Sequence, residues 1–144
     1  MKKSSLLIWM IVSIALLTAC SNSFALTSPN SQTALIQVVN NTDQKIHSVE
    51  LHFYQNLKQP TSQGSANADG SALKKGDILS FELSSEHLDL NQPVTIESIV
   101  EIDNVKMSTG TVTSIQLSKG NAFNFEITED SSAALLFQTL DVVD

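Results

Sequence analysis

Apolar side chains fall at every second position in four separate stretches of this chain, and that period limits the fold more than any other feature. Ile46 to Tyr54 is the clearest, with Val49, Leu51 and Phe53 alternating with Ser48, Glu50, His52 and Tyr54. Leu79, Phe81 and Leu83 alternate with Ser80, Glu82 and Ser84, and Phe123, Phe125 and Ile127 with Asn124, Glu126 and Thr128. Val94, Ile96, Val100 and Ile102 share a face opposite Thr95, Glu97 and Glu101. Successive side chains of a strand point to opposite faces, so each stretch reads as a strand with one face buried. Ala34 to Val39, Val112 to Leu117 and Leu135 to Val143 are further strands with looser alternation.

The connections suit an all-β chain. Asp103-Asn104 and Lys119-Gly120-Asn121 have tight-turn chemistry between apolar runs. Asn40-Asn41-Thr42 has the form of a glycosylation sequon and is read as a turn between the first two strands. Gln59 to Ser71 is polar, without a period, and reads as a loop. The expectation is an all-β, antiparallel β-sandwich, immunoglobulin-like or transthyretin-like, with seven or eight short strands after an N-terminal signal helix. A small barrel is the second choice.

The amino terminus carries a different signal. Lys2 and Lys3 precede Leu6 to Leu17, a run in which only Ser13 is polar. A spanning helix needs about 20 apolar residues, so this run has the length of a signal-peptide core instead. Leu17-Thr18-Ala19-Cys20 follows, then Ser21-Asn22-Ser23. These four residues resemble the lipobox of bacterial lipoproteins. That resemblance implies diacylglycerol on the Cys20 thiol, cleavage before it by signal peptidase II, and an acylated new amino terminus. Ser21 resembles the sorting residue of lipoproteins sent to the outer membrane, with the domain facing the periplasm. One acyl chain binds a bilayer marginally and several bind stably. The competing reading is an ordinary secretory signal cut after Ala19. Cys20 is the sole cysteine, so it has no disulfide partner within the chain, and an exported lone thiol fits that reading poorly.

The expected organisation is a signal peptide at 1–19, a lipidated tether at 20–33 and a sandwich at 34–144. The tether is rich in Ser, Thr and Asn and holds Pro29. Losing Lys2 and Lys3 with the signal takes the formal charge from −7 to −9. No arginine occurs anywhere. Such a domain repels polyanions, which argues against a nucleic-acid partner, and leaves lipid on Cys20 as the membrane contact.

Two segments echo each other. Leu73-Lys74-Lys75-Gly76 leads to Phe81-Glu82, and Leu117-Ser118-Lys119-Gly120 leads to Phe125-Glu126 at the same offsets. The simplest explanation is a shared Gly turn before a strand with an inward Phe. Val38-Val39-Asn40-Asn41-Thr42, then Val49, Leu51 and Phe53-Tyr54, then Leu73-Lys74-Lys75-Gly76 with Phe81, loosely resembles the immunoglobulin-like FxLyD envelope domains. The likeness spans about 50 residues. Ile36, Gln55 and Lys75 stand where that family carries Gly, Asp and Pro. The resemblance implies a sandwich and no particular activity.

Chemistry is sparse. His47 and His52 lie five apart on one strand and face opposite sides unless the strand is bulged. His87 falls in a polar turn. No nucleophile elbow, Walker loop or dinucleotide glycine pattern occurs. Glu97 and Glu101 read as solubilising carboxylates on one exposed face. Glu126, Glu129 and Asp130 form an acidic cluster at a strand end, the weak candidate for calcium, without the ligand spacing of a dedicated loop. A solvated turn is the simpler reading, and no cofactor is expected. The expected function is a non-catalytic, membrane-anchored envelope lipoprotein, a structural or protein-interaction module that contacts another envelope protein. A small-ligand or calcium-binding module is the alternative, and an enzyme is disfavoured.

Overall fold

A computed structural model describes residues 30–55 and 60–140. The signal helix, Cys20 and most of the tether lie outside the described residues. Eight strands follow one another: β1 (Thr33–Asn40), β2 (Ile46–Tyr54), β3 (Thr61–Ala66), β4 (Ile78–Ser84), β5 (Val94–Ile102), β6 (Val105–Ile115), β7 (Ala122–Glu129) and β8 (Leu135–Thr139). They form two four-stranded sheets, in the orders β4-β1-β7-β8 and β3-β2-β5-β6. The fold is a β-sandwich. Among the described residues no helix is long and apolar enough to cross a membrane.

The alternating stretches supply the core. Val49, Leu51, Phe53, Ile96 and Val100 of one sheet meet Phe81, Phe125, Ile127 and Phe137 of the other, all buried. Phe125 stacks on Phe137 at 5.1 Å between ring centroids, in the offset range that aromatic pairs prefer. Asp103 and Asn104 both have positive φ, 50° and 62°, the geometry of a two-residue hairpin turn whose twist suits its strands. The echoed segments behave alike. Leu73 and Leu117 are buried, Gly76 and Gly120 have positive φ, and Phe81 and Phe125 point into the core.

Four features differ from the sequence expectation. Within the expected loop 59–71, Thr61 to Ala66 form β3, paired antiparallel with β2. As an edge strand of polar and small residues it carries no apolar period, and its order comes from main-chain pairing. The strand expected at Val112 to Leu117 is β6, which begins at Val105 directly after the hairpin turn. Its first half is exposed, and two register shifts interrupt its pairing with β5. The strand expected at Leu135 to Val143 is described as β8 only to Thr139; 141–144 lie outside the described residues. Finally, one pairing is parallel: β1 runs alongside β7, from Leu35↔Ala122 to Asn40↔Ile127.

Asn40 closes the first turn. It is 2% exposed. Its Nδ2 donates to the Leu73 carbonyl at 3.1 Å, while its Oδ1 accepts from the Thr42 amide at 3.1 Å and the Thr42 hydroxyl at 2.8 Å. The sequon is therefore a buried turn device that seats Leu73 against Ile46, whose carbonyl takes the Leu73 amide at 2.7 Å.

Candidate functional site

The registers sort the loops into two ends. β1 ends where β2 begins, and β5 and β7 end and β6 and β8 begin at that same end. Segments 41–45, 67–77, 103–104 and 130–134 therefore cluster together. The start of β1 lies at the opposite end, and β8 runs back toward it.

The outer face of β2, β5 and β6 carries most of the polar chemistry. Tyr54 donates its hydroxyl to Glu97 Oε2 at 2.7 Å, and Ser108 donates to Glu97 Oε1 at 2.8 Å. Glu50 accepts from Lys106 Nζ at 2.9 Å and pairs with His52 Nε2 at 3.0 Å. Ser48 donates to Glu101 at 3.1 Å. The Tyr54, Ser108 and Ser48 contacts join neighbouring strands, the arrangement that stabilises sheets pair by pair, while Lys106 reaches from β6 across β5 to Glu50 on β2.

These bonds lower the carboxyl pKa values and raise those of two of their donors. The Tyr54 and Ser108 hydroxyls hold the Glu97 carboxyl below the usual carboxylate range. Lys106 and then His52 do the same to Glu50. In return Glu97 pushes the Tyr54 phenol up, and Glu50 pushes the Lys106 ammonium up. A general acid needs a carboxyl pKa raised toward the working pH. Glu50 and Glu97 are shifted the other way, so this face holds fixed negative charge rather than a proton to give. Glu97 and Glu101 were expected to be exposed; both are half-buried and held by hydroxyls from adjacent strands.

The acidic cluster at the end of β7 divides. Glu126 accepts from Asn41 Nδ2 at 3.0 Å and from Gln138 Nε2 at 2.8 Å, so both its oxygens are engaged. Glu129 shares the parity of the buried Phe125 and Ile127, the opposite face from Glu126. Asp130 folds back on its own turn, where Oδ1 accepts from the Ser132 amide at 2.8 Å, its hydroxyl at 2.7 Å and the Ala134 amide at 3.0 Å. Those donors hold the Asp130 carboxyl below the usual range, the Ser132 hydroxyl most. Among the described residues no group of three or more His, Cys, Asp or Glu is placed to hold a metal ion.

The histidines are dispersed. A β-bulge falls between Ile46 and Ser48, so His47 is the extra residue that lets both Ile46 and Val49 point inward. His87 Nδ1 lies 3.0 Å from the Ser84 hydroxyl in the turn after β4. It borders a small cleft of about 140 Å³ between the β3 and β4 edges, with Thr61, Gln63 and Glu82.

On the other side of the sandwich, β6 and β8 are the facing edges. Gly110 lies against Phe137: a Cβ at Gly110 would stand 3.7 Å from the Phe137 nitrogen. Toward the start of both strands the edges part. The gap is a notch of about 370 Å³ lined by Gln44, Ile102, Met107, Ser108, Ala133 and Leu135, with Ala134 between the last two. Of the lining residues, Met107 is a large apolar side chain left 41% exposed. Nothing in the sequence marks this notch, because it depends on where two distant edges separate.

No protein-family model and no curated protein matches this chain. Among solved structures it is similar to a protein from Eubacterium rectale determined by NMR, at 14% identity and a TM-score of 0.41, covering 78% of this chain and 94% of that one. It is also similar to pneumolysin, at 8% identity and a TM-score of 0.40. A disulfide-locked mutant of intermedilysin with human CD59 matches at 5% identity and a TM-score of 0.41. The chain spans about a quarter of each toxin chain, 24% in both cases.

Proposed function

We propose that this chain is a lipid-anchored module of the bacterial cell envelope, attached through Cys20 and acting by contact with another envelope protein rather than by catalysis. One observation carries the reading. β1 starts at the end of the sandwich opposite segments 41–45, 67–77, 103–104 and 130–134. A tether arriving from Cys20 holds the domain by one end and presents those loops away from the bilayer. The lipobox Leu17-Thr18-Ala19-Cys20 supplies the attachment and Ser21 the outer-membrane destination. The lowered carboxyl pKa values of Glu50 and Glu97 support a binding role over acid–base chemistry.

Metabolic labelling with radioactive palmitate tests the anchor. Wild-type protein is expected to take up label and sediment with outer membranes, and Cys20→Ala is expected to do neither. Unlabelled wild-type protein, or an unchanged membrane fraction for Cys20→Ala, overturns the reading.

A further inference from the structure

Three observations meet at the notch between β6 and β8. Its floor is apolar, with Ile102, Met107 and Leu135. One wall is the outer edge of β6, which pairs with β5 and, among the described residues, with no strand on its other side. The opposite wall is the start of β8, at the equivalent edge of the other sheet. Unpaired main-chain donors and acceptors flanking an apolar trough are what an added strand uses: main-chain bonds give affinity and the trough takes alternate side chains.

The charge around the notch selects the occupant. Glu129 is paired in register with Leu135, and its Oε1 is buried with no hydrogen-bond partner among the described residues. Asp103 adjoins Ile102, and Asp130 opens the turn that supplies Ala133 and Ala134. None of these three carboxylates takes part in an ion pair among the described residues. Lys106 lies beside Met107, but its ammonium is bound to Glu50 on the outer face. That leaves Lys45, next to Gln44, as the one cation adjoining a lining residue without an ion pair among the described residues. A buried carboxylate oxygen without a donor is costly and gains most from a cationic one. A second copy of this chain, with its formal charge of −7, brings the wrong sign.

We propose that this notch receives an extended segment of a partner protein, alternating apolar with lysine or arginine residues, added as a strand along the free edge of β6. The proposal rests on the reading of the chain as an interaction module and names the partner's chemistry.

The test uses the full chain in detergent and a short synthetic peptide of alternating valine and lysine, with a valine–glutamate peptide as control. Fluorescence anisotropy should show saturable binding of the basic peptide only, weakened by salt because exposed charges are screened. Met107→Glu changes an exposed lining position and should weaken binding at least about tenfold, as expected for a central apolar anchor. Glu129→Gln should weaken it severalfold, and Thr111→Glu, elsewhere on β6, should not. Equal binding of both peptides, no binding, or full affinity in Met107→Glu overturns the proposal. A dimer in light scattering that Met107→Glu dissociates also overturns it, by making a second copy the occupant. Palmitate labelling separates the two readings: loss of peptide binding in a labelled, membrane-bound protein removes the notch and leaves the anchored module.

Discussion

Tyr54 on β2 reaches diagonally to Glu97 on β5, with 2.7 Å between the phenolic oxygen and the carboxylate. The bond couples two titrations of opposite sense. Glu97 has a lowered pKa in the fold, so its contribution is complete above the unfolded carboxylate range and is lost as pH falls through the folded value. Tyr54 has a raised pKa, so its contribution is complete below about 10 and is lost as pH rises through the folded value. Tyr54→Phe should flatten both limbs of the stability–pH profile, leaving on the acid side the part that Ser108 supports. At neutral pH the loss should stay below about 1 kcal/mol, because Tyr54 is 38% exposed and water competes for the bond. Urea unfolding at acid, neutral and alkaline pH reads this directly; an unchanged profile refutes the coupling.

Ser98 points into the core of β5 with its hydroxyl unpartnered and no exposed surface. Burying a hydroxyl without a hydrogen bond costs about 1–3 kcal/mol. Ser98→Ala should therefore stabilise the protein by about 1 kcal/mol, a rise of about 4 °C in Tm. A fall in Tm would show that the hydroxyl is bonded.

Asn40→Ala should destabilise by about 3 kcal/mol, since it strips a donor from the buried Leu73 carbonyl and an acceptor from the buried Thr42 amide and hydroxyl. Asn40→Asp should be at least as severe, as it also buries a charge. The same burial closes the sequon. Secreted from a eukaryotic host, the protein should gain no glycan mass at Asn40.

Gly110 has φ of 126°, a region that other residues rarely enter. An added Cβ meets only ordinary contacts with Phe137, so the cost of Gly110→Ala is backbone strain, about 1–3 kcal/mol. Thermal denaturation measures it. A wild-type Tm would mean that β6 can pass Phe137 without this backbone geometry.

The strands with one dry face were legible. β2 and β5 have the bounds that their alternation marks, β4 begins one position before the marked residues, and β7 extends them by one position at each end. β1 alternates poorly because it is central in its sheet, with Ala34 to Val38 buried without a break. β3 carries no apolar signal, for Thr61, Gln63 and Ser65 face only a half-buried rim. Glu97 and Glu101 could be read as neighbours on one face. Their partners Tyr54, Ser108 and Ser48 could not, since cross-strand register sets those pairs and two shifts interrupt β5 against β6. The parity of Glu126 and Glu129 was open to the same argument as the histidines, and it separates them.

The parallel contact of β1 with β7 orders events in time. A strand that begins at Thr33 waits for one that begins at Ala122, so half of the molecule has no finished sheet until the final fifth of the polypeptide exists. Closing so long a loop is entropically slow. For the export route proposed above that delay is useful, because the topology keeps the chain threadable until its last segments have followed.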